Sequence, residues 1–182
     1  MKAISDIDKK RKINHIIRVV AVIIWCVVIF MFSANDSDES NAQSNWLFEF
    51  IVKFVNPVYD SMDPEAQLRY HDIATFIIRK LAHFTEYAIL GMLAFSALWK
   101  VKKVKYRGLI ALGFGFLYAS SDEIHQLFVP GRTGQFRDVM IDTCGVAFGI
   151  IIAILIRKIY LKQKQKKQDN KQDKQALAEK NN

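Results

Sequence analysis

Cysteine is scarce in this sequence: there are two in 182 residues, and they do not form a CxxC pair. The sequence therefore lacks a disulfide framework and a cysteine metal motif, and Cys26 and Cys144 are explained as small packing residues. A phosphate-binding loop is also lacking, because no strand precedes Gly113 and Gly115 and no Lys-Ser or Lys-Thr follows them. What the sequence does have is a strong segregation of apolar and charged residues.

Four apolar runs of 17 residues or more divide the chain. A helix of that length can span about 30 Å of hydrocarbon. The sequence therefore predicts an all-α, polytopic membrane protein with four transmembrane helices and one membrane domain over residues 16–156. The predicted spans are residues 16–32, 81–99, 108–129 and 139–156.

The placement of the basic residues indicates the topology. Of the 26 Lys and Arg, 20 lie in residues 1–18, 100–107 and 157–182, which an even number of spans separates. By the positive-inside rule these segments are cytoplasmic, so both termini are expected inside. The net charge of +8 is then explained without a nucleic-acid partner. We expect residues 1–15 to be a basic cytoplasmic lead, and the Lys- and Gln-rich residues 157–182 to be disordered or associated with the membrane surface.

Residues 33–78 would lie on the opposite side, with 2 basic and 8 acidic residues. Within them, residues 46–55 form an aromatic-rich apolar run that is too short and too charged to span, which favours an interfacial or re-entrant helix ended by Pro57. Asp63 as N-cap and Pro64 at the first helical position then predict the helix that leads into the second span.

A cleaved signal peptide is the alternative for the first apolar run. Cleavage after Ala34 would put Phe32 at the −3 position, where a small residue is preferred. We therefore expect the first run to remain as a membrane anchor.

Ionisable residues lie inside the predicted spans. At a helix centre each costs about 2.5 to 3.5 kcal/mol, so such residues suggest a functional site. In the second span, Arg79, His83 and Glu86 share one helical stripe. In the fourth, Gly145 and Gly149 follow the aspartates on one face as a small-xxx-small pair. The other polar candidates are Asp122, Glu123, His125, Gln126, Arg132, Arg137, Asp138 and Asp142.

These groups lie at a similar depth near the outer face, because successive helices run in opposite directions. We therefore expect one shared extracytoplasmic pocket built by spans two, three and four. Its acidic floor would be Glu86, Asp122 or Glu123, and Asp142, with His and Arg side chains as partners. The candidate catalytic residues are His83, Glu86, Asp122, Glu123, His125 and Asp142. The candidate ligand-binding residues are Arg79, Gln126, Arg132, Arg137 and Asp138.

Three motifs resemble those of the VanZ-like proteins, small polytopic bacterial membrane proteins whose namesake is linked to teicoplanin resistance. They are RKLAHFTEY at 79–87 with Leu90-Gly91, SDEIHQ at 121–126 with Pro130-Gly131-Arg132, and Asp138 and Asp142 with Gly145 and Gly149. Phe32-Ser33, with Ser40 and Ser44, looks like a weaker motif of the same family. The resemblance covers roughly residues 32–149. It implies an envelope role in which less glycopeptide accumulates on the cell.

Several functions remain open at this point. The first is an outward-facing site that binds or modifies an amphipathic envelope molecule, such as a lipid-linked sugar or phosphate. Arginines would hold its head group, and a histidine with a carboxylate would do acid–base work. The available hydroxyl nucleophiles are Thr85, Ser120, Ser121 and Thr133.

The alternatives use the same residues differently. They could form a purely structural network of interhelical salt bridges. They could also hold a divalent metal, the one cofactor considered, because His83 and Glu86, and Asp122 and His125, share the i, i+3 spacing of carboxylate–histidine sites. A proton or ion pathway is weaker, since the inner halves of the spans carry no acidic or histidine relay.

Overall fold

The computed structural model describes residues 2–34, 37–55, 59–132 and 134–180, and this part of the chain is helical without strands. The all-α prediction is confirmed. A short 3-10 helix, Tyr59–Ser61, follows the second α-helix. The α-helices are α1 Lys2–Ser33, α2 Ser37–Val55, α3 Pro64–Ala97, α4 Val104–Gln126 and α5 Phe136–Lys180.

Two helices in the described chain are long and apolar enough to cross a membrane. They are Asp8–Ser33 in α1 and Phe136–Asn170 in α5. The sequence predicted four spans. Helices α3 and α4, which contain the second and third predicted spans, are not among the two that are long and apolar enough. The physical reason is that both helices carry the charged and polar residues of the candidate site, which dilute their apolar stretches.

Helix α3 is the centre of the bundle and contacts each of the other four α-helices. It begins as predicted: the Asp63 side chain accepts a hydrogen bond from the Ala66 N–H at 2.9 Å, and Pro64 occupies the first turn. The helix then runs without a break for 34 residues to Ala97. The predicted entry helix and second span are thus one continuous element.

The contact between α3 and α5 is the most extensive in the fold. It is a backbone contact: a Cβ on Gly145 would collide with the carbonyl oxygen of Phe84, and one on Gly149 with that of Ala88. Gly91 of α3 approaches the α5 backbone in the same way. The close helix contact expected from the glycine spacing is confirmed.

The bundle core is apolar, but so is much of its outer surface. Helix α1 exposes Ile16, Ile23, Ile24 and Val27, among others. A helix that is apolar on all faces suits a lipid environment better than an aqueous one. The core residues are Ile29, Tyr87, Leu90, Ala94, Phe95, Ala111, Ala119, Val139, Val146 and Ile150.

Polar side chains attach α1 to the rest of the bundle. The Trp25 indole N–H donates to the carbonyl oxygen of Glu86 in α3 at 2.9 Å. The Tyr118 hydroxyl of α4 donates to the carbonyl oxygen of Cys26 at 2.6 Å. Each aromatic residue therefore packs its ring in the bundle and satisfies its polar atom on a neighbouring backbone.

The second helix is longer than the sequence suggested. Residues 46–55 were expected to form it, and the structure gives 19 residues, Ser37–Val55, lying against α3. Phe48 anchors it: this side chain is 1% exposed and its ring meets that of His71 edge-on at 4.7 Å. Pro57, expected to end this helix, lies outside the described residues.

Both terminal segments continue the neighbouring helices. Residues 2–15 belong to α1, and residues 157–180 continue α5 as helix where the sequence led us to expect a disordered or surface-associated tail. Lys, Gln, Ala and Glu are strong helix formers, and a preceding helix removes the cost of nucleation. The low hydrophobicity of this tail indicates that it forms no packed core, but it does not exclude helical structure.

The Gly149 contact gives a direct stability test. Gly149→Ala is expected to lower the free energy of unfolding by about 1–3 kcal/mol, because the added Cβ forces α3 and α5 apart. Gly113→Ala is the matched control: its Cβ would have no neighbour within 4 Å, so helix propensity alone should leave stability equal or slightly higher. Thermal unfolding in detergent measures both. Equal unfolding temperatures for the two variants would refute the backbone contact.

Candidate functional site

The predicted site residues gather at one end of the bundle, where α1 and α4 end and α5 begins, beside the middle of α3. We call this the site end. Four of the eleven predicted residues line one cavity there, whereas the expectation was a pocket built by spans two, three and four. The predicted residues separate into a cavity set, a buried network and two outlying residues. The cavity set is Arg79, His83, Glu86 and Arg132; the network contains Asp122, Glu123, Gln126, Asp138 and Asp142; the outliers are His125 and Arg137.

The site-end cavity has a volume of about 550 Å³. Its polar wall comes from the cavity set, on α3 and the α4–α5 loop. Its other walls are mainly apolar and come from α1, α2 and the outer turn of α3. Helix α2 therefore borders the site directly. The apolar and hydroxyl lining includes Phe32, Ser44, Trp46, Leu47 and Ile78.

His83 and Glu86 lie one turn apart in the cavity wall. Their facing atoms, Nδ1 of His83 and Oε2 of Glu86, are 3.8 Å apart, which is an electrostatic contact but longer than a hydrogen bond. Both atoms are buried and have no hydrogen-bond partner within the described chain. Because buried polar atoms are normally satisfied, this pair is suited to a polar group that enters the cavity.

Arg132 is placed by a tight turn after α4. The Arg132 N–H donates to the carbonyl oxygen of Val129 at 3.2 Å, and Gly131 adopts a φ of 73°. Pro130 followed by a glycine with positive φ is the pattern of a type II turn. Arg132 then lines the cavity and acts electrostatically on both His83 and Glu86. Thr133, a predicted nucleophile candidate, lies outside the described residues.

Asp122 is the centre of the buried network. Its side chain is 3% exposed and accepts hydrogen bonds from the Tyr87 hydroxyl at 3.1 Å and from the Ser33 hydroxyl. Ser33 in turn accepts a bond from the Gln126 amide at 3.0 Å. The network thus joins α1, α3 and α4, and such buried connected networks fix helix positions.

The other carboxylates of the network attach α5. Asp138 Oδ2 pairs with Lys80 Nζ at 2.6 Å, which joins α5 to α3. Glu123 Oε2 accepts the Gln135 N–H at 2.8 Å and so holds the segment before α5. Asp142 is 3% exposed and lies near Asp122 and Glu123, which carry the same charge. The Lys80–Asp138 pair is an interhelical salt bridge of the kind that the structural hypothesis requires.

The two outlying residues contact aromatic rings and do not line the cavity. The His125 ring lies 4.6 Å from that of Phe30, and the Arg137 guanidinium lies 5.6 Å from the Phe76 ring centre. The arginines that line the cavity are Arg79 and Arg132, and Arg137 lies outside its lining.

The geometry offers no support for a resident metal. Over residues 2–34, 37–55, 59–132 and 134–180, no three His, Cys, Asp or Glu side chains come together in a group that could hold a metal ion. In the cavity, His83 and Glu86 form a pair without a third ligand of this kind. The donor set therefore does not fit a structural or catalytic metal centre.

The expected hydroxyl nucleophiles are directed elsewhere. Thr85, Ser120 and Ser121 each donate to a carbonyl oxygen of their own helix, at 2.7, 2.8 and 2.7 Å. Ser44 of α2 lines the cavity instead and is 8% exposed. In the sequence, Ser33 and Ser44 were indicated only by the weaker motif after the first span. Lys80 and Tyr87 were indicated only as members of the second-span motif. The Ser40 side chain lies outside the described part.

The VanZ/LLP1 family model matches residues 18–157, which extend from α1 into α5. The chain belongs to the VanZ/LLP1 family. No curated protein and no solved structure matches it. The resemblance seen in the sequence is therefore confirmed, and the matched region includes the whole cavity set and the whole network.

Tyr87→Phe tests the structural role of the network. Removing the hydroxyl leaves Asp122 with one donor fewer in a buried position, so the free energy of unfolding should fall by about 1–3 kcal/mol. Tyr106→Phe is the control, because this exposed tyrosine contacts Lys103 through its ring and its hydroxyl has no partner among the described residues. Thermal unfolding that is unchanged in both variants would show that the Tyr87–Asp122 bond does not stabilise the bundle.

Proposed function

We propose that this VanZ/LLP1 protein is a four-span protein of the cell membrane with both termini in the cytoplasm and the site end at the outer face. Two observations support this topology. Helices α1 and α5 are long and apolar enough to span, and α3 and α4 pack between them in the same bundle. Lys and Arg are concentrated at the opposite end, in residues 1–18, 100–107 and 157–182.

Thiol labelling tests this topology. In a background with Cys26→Ala and Cys144→Ala, a cysteine at Glu65 should react with a membrane-impermeant maleimide on intact cells. Cysteines at Lys100 and Lys162 should react only after permeabilisation, since they would lie inside. Labelling of Lys100→Cys on intact cells would overturn the arrangement, and permeabilised cells provide the control for reactivity.

We further propose that the site-end cavity binds the anionic head group of an amphipathic envelope molecule, such as a lipid-linked sugar or phosphate. The observation that carries this proposal is the pair of arginines, Arg79 and Arg132, in a 550 Å³ cavity that also holds His83 and Glu86. Guanidinium groups bind phosphate and carboxylate with paired, charge-assisted hydrogen bonds. His83 and Glu86 supply further polar contacts for sugar hydroxyls or a phosphate proton.

The remaining walls suit the apolar part of such a molecule. Phe32, Trp46, Leu47 and Ile78 line the cavity opposite the polar wall. Trp46 is strongly exposed and stacks on Phe50 at 6.0 Å, which extends the aromatic surface away from the cavity. In the proposed topology this surface lies at the level of the outer head groups, where aromatic residues are favoured.

The biological role that we infer from family membership is a change in the cell envelope that lowers sensitivity to teicoplanin-type glycopeptides. Holding or altering a lipid-linked molecule at the outer face would change the surface that the antibiotic reaches. The cavity, and not the buried network, would then carry the function.

A hydrolase or transferase acting on the same molecule is the second candidate. It is favoured by the His83–Glu86 pair, whose separation of 3.8 Å allows one group to orient the other during proton transfer, and by the Ser44 hydroxyl in the same cavity. The two candidates differ in outcome. A binding protein releases its ligand with unchanged mass, whereas an enzyme releases a product of different mass.

Substitution of the cavity set tests the binding proposal. Arg79→Gln and Arg132→Gln are each expected to leave a folded protein, because these side chains line the cavity. Each should weaken retention of a polyprenyl phosphate probe by about tenfold, the cost of one charged hydrogen bond. Mass spectrometry of the purified protein measures retention, and the inhibitory concentration of teicoplanin measures protection in a Gram-positive host.

The chain provides matched controls on the same helix. Glu65 and Arg69 form an exposed ion pair at 3.2 Å, away from the cavity, so Arg69→Gln and Glu65→Gln should change neither readout. Tyr87→Phe, in the buried network, should differ from both sets by lowering the unfolding temperature. If the cavity variants fold, retain the probe and keep full protection, the proposal is refuted.

A further inference from the structure

A second cavity of about 670 Å³ lies at the other end of the bundle, where α3 ends and α4 begins. Along α3 its nearest lining residue, Met92, lies six residues beyond Glu86, or about 9 Å of helix. It shares no lining residue with the site-end cavity. Its lining is therefore distinct from that of the site-end cavity, and its position on the cytoplasmic side rests on the topology proposed above.

Three arginines from three helices line this cavity: Arg18 of α1, Arg107 of α4 and Arg157 of α5. Arg107 is 5% exposed, and the charges of Arg157 and Arg18 act on its guanidinium. Within the described chain, none of the three forms an ion pair with a carboxylate. Like charges gathered around a buried guanidinium, without an acidic partner, need a source of negative charge.

The end of α3 provides part of that charge. Arg107 donates through Nε to the carbonyl oxygen of Phe95 and through Nη2 to that of Ser96 at 3.2 Å, and Arg18 donates to the same Ser96 oxygen at 3.1 Å. These carbonyl oxygens belong to the last turn of α3, whose dipole amounts to about half a negative charge. Against three guanidinium groups, this leaves a clear positive excess. Arg157 has no hydrogen bond to the described residues.

We propose that this cavity binds the phosphate group of an anionic phospholipid in the inner leaflet. Arginine donors not used on α3 would hold the phosphate oxygens. Leu93, Ile156 and Leu161 line the same cavity and can cover acyl chains, and Trp99 and Tyr160 stand beside them as interfacial aromatic residues do. Basic pockets between helices on the cytoplasmic side are a known setting for such head groups.

The apolar half of the lining favours a lipid over a soluble phosphate. A free phosphate would gain nothing from Leu93, Ile156 or Leu161, whereas a phospholipid buries its chains against them. The proposal therefore commits to a membrane lipid and predicts that the phosphate alone binds poorly.

The test uses the purified full chain in detergent with two probes that have identical acyl chains, phosphatidylglycerol and phosphatidylcholine. Native mass spectrometry measures the lipid retained. The parent protein should retain phosphatidylglycerol in preference. Arg157→Gln should reduce this retention about fivefold, the effect of one basic residue on an anionic head group. This residue is suitable because it is exposed and does not cap α3, so its loss leaves the bundle intact.

Lys158→Gln is the matched control, because it removes the same charge from the next residue of α5, which does not line the cavity. Retention in this variant should equal that of the parent, and Arg18→Gln should behave like Arg157→Gln. Equal losses in Arg157→Gln and Lys158→Gln, or equal retention of the two lipids by the parent, would overturn the proposal. Full displacement of the lipid by an equal concentration of sn-glycerol 3-phosphate would also overturn the lipid assignment.

Discussion

The backbone contact between α3 and α5 sets the geometry of everything else in the bundle. Because Gly145 and Gly149 carry no Cβ, α5 lies directly on the carbonyl groups of α3, and the rotation of α3 about its axis is fixed. That rotation directs Tyr87 towards Asp122 and leaves His83 and Glu86 facing α2. A looser contact would let α3 turn, and the network and the cavity would exchange residues.

The polar residues that lie at a common depth fall into two groups: the cavity set lines the site-end cavity, and the others form the buried network or contact aromatic rings. Helix rise gives depth from sequence position, and the predicted residues do gather at one end of the bundle. Depth does not reveal which neighbour each side chain faces. Asp122 accepts a hydrogen bond from Tyr87 of α3, while Glu86 borders the cavity that α2 also lines.

Local signals in the sequence were reliable, and long-range ones were not. The Asp63 cap, the Pro130-Gly131 turn and the glycine face of α5 follow from backbone chemistry that neighbouring residues determine. The length of α2 and the helical tail after residue 157 were not predicted. Both arise because an existing helix extends into polar residues at little cost, and the hydrophobic pattern does not indicate where such an extension ends. Likewise, Arg137 is close in sequence to Arg132 but belongs to the first turn of α5, and its guanidinium lies over the Phe76 ring. This tertiary contact has no signature in the local sequence.

The three tryptophans of this chain fall at three functionally different places. Trp46 borders the site-end cavity, Trp99 borders the arginine cavity, and Trp25 donates to the backbone at Glu86 between them. Indole emission depends on local polarity, so the molecule contains its own optical probes for each region. Chains that keep a single indole would report occupancy of one cavity without interference from the other.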